Sequence, residues 1–396
     1  MTLPLTDNDI IRAIQEIAPN FVDIRRQIHA NPEIAFKEFE TSSLVSEKLA
    51  SFGYEVHKGL GGTGVVGRLK KGNGQRSIGI RADMDALPIH EKTDLDYASK
   101  TPGLMHACGH DGHTAILLCA AQYLSTASFE GTLHLIFQPA EENEGGAIEM
   151  INDGLFERFP CDEIYALHNS PGQPVGTLAV APGVCLASFD RATITLTGSS
   201  AHGAMPHYGI DPVQCAASIA LGIQSIITRE IDAFHPVVIT TGSIQAGTVY
   251  NVVPSQATLK IGIRTLDPKV RLFVEKRIKE FVTSQAESYR LSADIVYEHK
   301  YPVLINHDEP VGFLRETAAS LLGEENVVSR KPSMGSEDFA YMLEHVPGAY
   351  VRLGNGQEGN SGKMLHTDGY DFNDDALPIG AALWAQLAMD RLSGDA

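Results

Sequence analysis

The chain has 396 residues, 43% hydrophobic and 20% charged, an ordinary globular composition with length enough for two domains. Its formal net charge of -18, broken by no Arg/Lys block, opposes binding to nucleic acid or anionic membrane and points to small-molecule partners. No apolar run reaches the ~18 residues a membrane span needs, and five scattered cysteines suit a reducing compartment, so a cytoplasmic protein is expected.

Met1 to Pro19 lacks a basic start followed by an apolar run, so no signal peptide is expected. Ile11, Ile14, Ile17, Phe21, Ile24 and Ile28 recur at helical spacing and predict a helix over Asn8 to His29, stopped by Asn31-Pro32. His29, near that helix end, reads as a cap. A second helix is predicted from Thr41 to Phe52, then short strands at Tyr54 to His57 and Val65 to Leu69. Three further strands end in ionisable groups: Ser77 to Asp85, Thr132 to Gln138 leading into Glu141-Glu142, and Glu163 to His168. Strands alternating with helices imply a mostly parallel sheet with helices on both faces, where ligands bind at the strands' carboxyl ends. Asp83, Glu141, Glu142 and His168 would then share one rim.

The pattern changes near Ala187. Strands at Ala192 to Thr197, Val237 to Ile244, Ala257 to Arg264 and Ala293 to Glu298, with helices at Pro212 to Thr228 and Pro268 to Tyr289, give β-α-β-β-α-β, a ferredoxin-like order. This segment reads as an insertion. Leu314 to Leu322 is helical again, Ala349 to Leu353 is a buried strand, Gly354 to Lys363 is a flexible loop before His366, and Ala376 to Leu392 closes as an amphipathic helix.

The densest chemistry lies in His106-Ala107-Cys108-Gly109-His110-Asp111-Gly112-His113. Three imidazoles, a thiol and a carboxylate precede a buried helix for which Asp111 or Thr114 would be the N-cap. Cys108 would sit at that helix's positive end, which favours the metal-ligating thiolate. Cys108, His110, Glu142, His168 and a later histidine, with His366 best placed, offer mixed S, N and O donors. Such a set suits zinc, manganese, cobalt or nickel rather than calcium or magnesium. Five donors exceed the needs of one open tetrahedral ion, whereas two ions bridged by the thiolate would use them all. Of the adjacent pair Glu141-Glu142, one can ligate while the other faces the attacking water as general base.

These stretches, with Arg81-Ala-Asp-Met-Asp-Ala-Leu-Pro88, Gln138-Pro-Ala-Glu-Glu142, Gly198-Ser-Ser-Ala-His202 and Met334-Gly-Ser-Glu-Asp-Phe339, resemble the metal-dependent aminoacylase and carboxypeptidase superfamily. The similar branch holds hippurate hydrolases, indole-acetyl-amino acid hydrolases and N-acetyl-diaminopimelate deacetylases, and the likeness covers nearly the whole chain. It implies an α/β, zinc-peptidase-like catalytic domain over 1–186 and 298–396, with an inserted ferredoxin-like lid over 187–297 that forms a homodimer or higher homo-oligomer. The implied reaction is hydrolysis of an N-acyl amino acid to a carboxylic acid and a free amino acid, with two divalent ions (Zn, Mn, Co or Ni) per subunit.

Carried over by motif, Cys108 bridges the ions and His110, Glu142, His168 and His366 complete their ligands. Glu141 is the general base and Asp83 orients a ligand. Where the wider superfamily has a histidine ligand two residues before Asp83, Arg81 stands instead, and the cysteine loop supplies the missing donors. His202 is implied to enter the partner subunit's active site. Asn251, Gly335 and Ser336 would contact substrate, and Arg264 would hold its carboxylate.

Two other readings fit some of the residues. In one, Cys108 is the nucleophile and His110 or His113 its base, which leaves Glu141, Glu142, His168 and His366 unexplained. In the other, the chain binds a ligand through metal without turnover, which gives Glu141 no purpose.

Overall fold

The computed structural model describes residues 8–142 and 144–393, which divide into two compact units. The first comprises Met1–Gly183, Ile305–Lys331 and Tyr341–Ala396, and the second Val184–Leu304 and Pro332–Ala340. Of the N-terminal stretch read as lacking a signal peptide, Met1 to Asp7 lies outside the described residues. No helix among the described residues is long and apolar enough to cross a membrane.

In the first unit, helix α1 (Asp9–Ala30) starts where the Asn8 side chain accepts hydrogen bonds from the amides of Ile10 and Ile11, and buries the face carrying Ile11, Ile14, Phe21 and Ile28. Helix α2 (Phe39–Ser51) follows, then strands β1 (Glu55–Leu60), β2 (Gly64–Lys71) and β3 (Ser77–Asp83). Helix α3 (His110–Thr126) leads to β4 (Gly131–Gln138) and later β5 (Glu163–Pro171). One eight-stranded sheet runs β1, β2, β4, β3, β5, Gly348–Gly356, Leu178–Ala179, Val327–Val328. Its centre, from β4 to Gly348–Gly356, is parallel. Being covered by helices, these central strands carry continuous apolar runs such as Leu135-Ile136-Phe137.

Asp83 lies in register with Gln138, so β3 and β4 finish side by side, and β5 brings His168 opposite Arg352. The carboxyl ends of three adjacent strands thereby make one rim. Helix α3 is buried along most of its length and packs on α1 and on Leu377–Arg391. That last helix, expected to be amphipathic, is instead buried nearly all round, from Leu377 through Ala388, because α1, α3 and Asp308–Leu322 all contact it. The expected loop after Leu353 is also shorter, since its strand continues to Gly356 and a 3-10 turn forms at Asn360–Gly362.

The second unit is a four-stranded antiparallel sheet in the order Val237–Ala246, Gln256–Thr265, Ser188–Thr197, Ser292–Tyr301. Helices Pro212–Gly222 and Pro268–Ser288 connect the strands as β-α-β-β-α-β. Asp211 and Asp267 cap them with a proline at the first helical position, and Ile194, Leu259, Ile219 and Ile278 share their core.

Candidate active site

Helix α3 begins at His110 because Gly109 adopts φ 89°, a left-handed turn in which a Cβ would lie 2.3 Å from the Asn169 side chain. Neither Asp111 nor Thr114 caps it, contrary to expectation. Thr114 Oγ1 donates to the Asp83 carbonyl (2.9 Å), and Asp111 is turned to Arg25 and His29. The Gly109 turn drops Cys108 into the sheet rim, where its Sγ lies 3.3 Å from His168 Nε2.

The candidate donor atoms of Cys108, His110 and His168 lie within 4.8 Å of one another, as do those of Cys108, Glu142 and His366. Cys108 is common to both groups, which suits a bridging thiolate. A third such group joins His110, Glu141 and Glu142. Each imidazole is oriented by its other nitrogen: His168 Nδ1 bonds the Asn169 carbonyl (2.8 Å), and His110 Nδ1 bonds Asp85 (3.2 Å). His110 Nε2 is then buried without a hydrogen-bond partner. His366, at φ 61° with its amide on the Ala107 carbonyl, brings Nε2 to 2.9 Å from Glu142 Oε1, yet that oxygen gains no hydrogen bond. Two candidate donors left unsatisfied by protein, His110 Nε2 and Glu142 Oε1, beside imidazoles whose outer nitrogens are held by carbonyl and carboxylate, fit a cation centre.

The electrostatics fit the same group. Burial, reinforced by Glu142 and Glu141, pushes the Cys108 thiol well above its usual range. The helix end expected to lower it is outweighed by this acidic, desolvated setting. Burial opposes charge on His110, but Asp83 and Asp85 outweigh it and raise its pKa to about 10. A buried thiol and imidazole set among the carboxylates of Asp83, Asp85, Glu141 and Glu142 are short of positive charge, which divalent cations would supply. The Cys108-nucleophile reading loses ground on geometry, because the imidazole bonded to its Sγ is His168 and not the expected base His110 or His113. His113 is also spent: Nδ1 lies 2.6 Å from Asp83 and Nε2 accepts the Asn169 amide. Cys108→Ser should leave the fold intact and lose metal, since a hydroxyl is a much poorer ligand than a thiolate. Elemental analysis checks this, and full occupancy in the serine variant would remove Cys108 from the ligand set.

Asp83 touches Arg81 (2.7 Å) and His113, and stands 3.8 Å from His110 Nε2. Asp85, which sequence reasoning did not single out, is the carboxylate that holds His110, and its other oxygen accepts the Glu142 amide (2.9 Å). The signal was available in the sequence as a second aspartate just past the strand end, and both carboxylates converge on His110.

His29 is not a cap. It is buried with Nδ1 at 2.8 Å from Asp111 and Nε2 at 3.2 Å from Glu91, while the buried Arg25 pairs with Asp111, Asp371 and Asp374. Burial works against its charge, yet Asp111 and Glu91 raise its pKa to about 9. A raised histidine contributes stability that is complete below its unfolded pKa of about 6.5 and fades as pH climbs through the folded value. From pH 6.5 to 9 the protein should therefore lose on the order of 2–3 kcal/mol relative to His29→Gln. Parallel stability curves for the two, from denaturant titrations, would contradict this.

In the second unit His202 is exposed on Ala201–His202, which pairs with Val252–Val253. The Ala204 amide donates to His202 Nδ1 (3.0 Å), so Nε2 carries the proton. Asn251 sits beside it, its carbonyl accepting the Gly203 amide. Arg264 donates to the Met334 carbonyl (3.0 Å) and Ser336 Oγ (3.1 Å) above the Phe189 ring, and the Gly335 carbonyl accepts the Ala187 amide. The expected substrate residues thus form two groups, His202 with Asn251 and Arg264 with Gly335 and Ser336.

A family profile described as Peptidase family M20/M25/M40 matches residues 79–390. The chain is 42% identical to the hippurate hydrolase of Campylobacter jejuni over 385 residues, covering 97% of this chain and 100% of that one. It is 36% identical to the N-acetyl-L-cysteine deacetylase of Bacillus subtilis, covering 88% and 85% respectively. Among solved structures it is similar to the Bacillus subtilis YXEP protein, described as a dinuclear metal-binding peptidase of the M20 family, with a TM-score of 0.81, 32% identity and coverage of 96% and 99%.

Proposed function

Since the chain belongs to peptidase family M20/M25/M40, we propose that it is a metal-dependent amidohydrolase that cleaves N-acyl amino acids of the hippurate type into a carboxylic acid and a free amino acid. The observation that carries this reading is the pair of donor groups meeting at Cys108, with Glu141 beside them. Cys108, His110, Glu142, His168 and His366 would hold two divalent ions, and zinc, manganese, cobalt and nickel all suit the set. Bound there, such ions polarise a carbonyl and acidify water.

The chain's own residues do the rest. Glu141, whose carboxylate lies within 4.8 Å of the candidate donor atoms of His110 and Glu142, takes the proton from the attacking water as its oxygen bonds the acyl carbon. It then passes that proton to the amide nitrogen as the C–N bond breaks, so a neutral amine leaves. Asp85 keeps His110 Nε2 and Glu142 facing the reacting atoms, and Asp83 holds His113 behind them. In the second unit, taken as the lid, Arg264 receives the substrate carboxylate beside Gly335 and Ser336, and Asn251, next to His202, makes a separate substrate contact. We assign the working form as a homodimer through this unit. Its sheet ends in an edge strand, Val237–Ala246, with exposed Val238 and Ile244, and Tyr250 and Phe234 are also exposed. Five free cysteines fit a cytoplasmic setting.

Substrate comparison tests the assignment. Benzoylglycine should be hydrolysed, while its C-terminal amide, which offers the partly buried Arg264 no counter-charge, should lose at least about tenfold in kcat/KM. Equal values would remove Arg264 from recognition, and no hydrolysis of benzoyl, acetyl or indole-acetyl amino acids would overturn the function.

A further inference from the structure

Glu38 occupies the N-cap position of α2 but makes no side-chain cap there. That task falls to Glu33, whose carboxylate accepts the amides of Glu40 (3.0 Å) and Thr41 (2.9 Å). Glu38 is released for another purpose. Completely buried, its Oε1 accepts the amides of Phe36 (3.1 Å) and Ala140 (2.9 Å), and Oε2 accepts Thr63 Oγ1 (2.5 Å). Burial, with Asp85 close by, pushes its pKa up to about 7, so this carboxyl is held inside at a cost and needs its partners.

Ala140 is an unusual partner. It sits immediately before Glu141 at φ 54°, a left-handed conformation that an L side chain disfavours. Its carbonyl accepts the Gly146 amide (2.9 Å), where a Cβ would lie 1.7 Å from the Pro139 oxygen. The turn from Pro139 to Glu142 therefore hangs from two buried carboxylates: Glu38 holds the Ala140 amide and Asp85 holds the Glu142 amide, with Glu141 between them.

We propose that Glu38 is a positioning residue for Glu141: by clamping the left-handed Ala140 it aims the general base, while Asp85 separately fixes the metal ligand Glu142. The inference rests on the role given to Glu141 above. Misplacing a catalytic group by about 1 Å costs up to ~100-fold in rate.

The test uses Glu38→Ala and Glu38→Gln in the metal-loaded, full-length protein, read by hippurate kinetics, metal content, and hydrogen exchange of the segment spanning Ala140 to Glu142. Glutamine keeps an acceptor for the Ala140 amide and should stay within about threefold of wild type in every reading, because the hydrogen bond and not the charge is what holds the turn. Alanine should lower kcat at least about tenfold with KM and metal content unchanged, and should speed exchange of the segment. Unchanged kcat, unchanged exchange, or metal loss in step with kcat each overturns the proposal. If Glu38→Ala does not fold, Glu38→Asp, one methylene too short to reach, is read the same way. Should wild type itself hydrolyse no N-acyl amino acid, the functional reading fails, whereas the exchange of the segment still decides whether Glu38 clamps it.

Discussion

Glu141→Gln is expected to bind metal and substrate like wild type and to lose at least ~100-fold in turnover, the lower range for general acid-base groups. The amide is nearly isosteric, and the side chain is buried at 6% exposure, so the substitution preserves shape and removes a proton acceptor. The two donors grouped with it are otherwise engaged: His110 is held by Asp85, and Glu142, the proposed ligand, has its amide on the same aspartate. The prediction separates a hydrolase from a metal-dependent binder, because a protein that only binds would not register the change. Single-turnover kinetics on a metal-replete variant make the comparison, and near-normal turnover would remove Glu141 from the mechanism.

His202→Ala should lower kcat strongly with metal content intact. The tetrahedral intermediate of amide hydrolysis carries an oxyanion, and one donor aimed at it contributes about 2.7 to 4 kcal/mol in a dry site. The hydrogen bond from the Ala204 amide fixes the required tautomer, with Nε2 as donor. In the proposed two-fold dimer each His202 serves the partner's site, which makes a sharper experiment possible. Mixing His202→Ala with Glu141→Gln gives heterodimers with one intact site. At random assortment half the dimers are mixed, so activity should recover to about a quarter of wild type. No recovery despite demonstrated subunit exchange would return His202 to its own subunit or to a structural role.

Much of this site was readable from residue types. Apolar strands ending in carboxylates or histidine point to the parallel sheet and its polar rim, and the density of His, Cys and Asp between 106 and 113 marks the loop whose candidate donors meet that rim. The β-α-β-β-α-β order of the second unit followed equally from periodicity. What escaped was any residue whose meaning lies in a distant partner. His29 looks like a helix-end histidine until Asp111 and Glu91 are placed beside it, and nothing local marks Glu38 until Ala140 arrives from another part of the chain. Asp85 was overshadowed by Asp83 two residues earlier. Helix starts were misread for a related reason: a left-handed glycine replaced the expected side-chain cap at Gly109. The burial of Leu377–Arg391 on all sides depends on three helices remote in sequence, which local periodicity does not reveal.

The most direct measurement of the central claim is a metal titration followed by activity. Protein stripped with a chelator should not hydrolyse benzoylglycine, and activity should return as zinc, manganese, cobalt or nickel is added, saturating at two ions per chain. Full hydrolysis by the demonstrably metal-free protein would contradict the account.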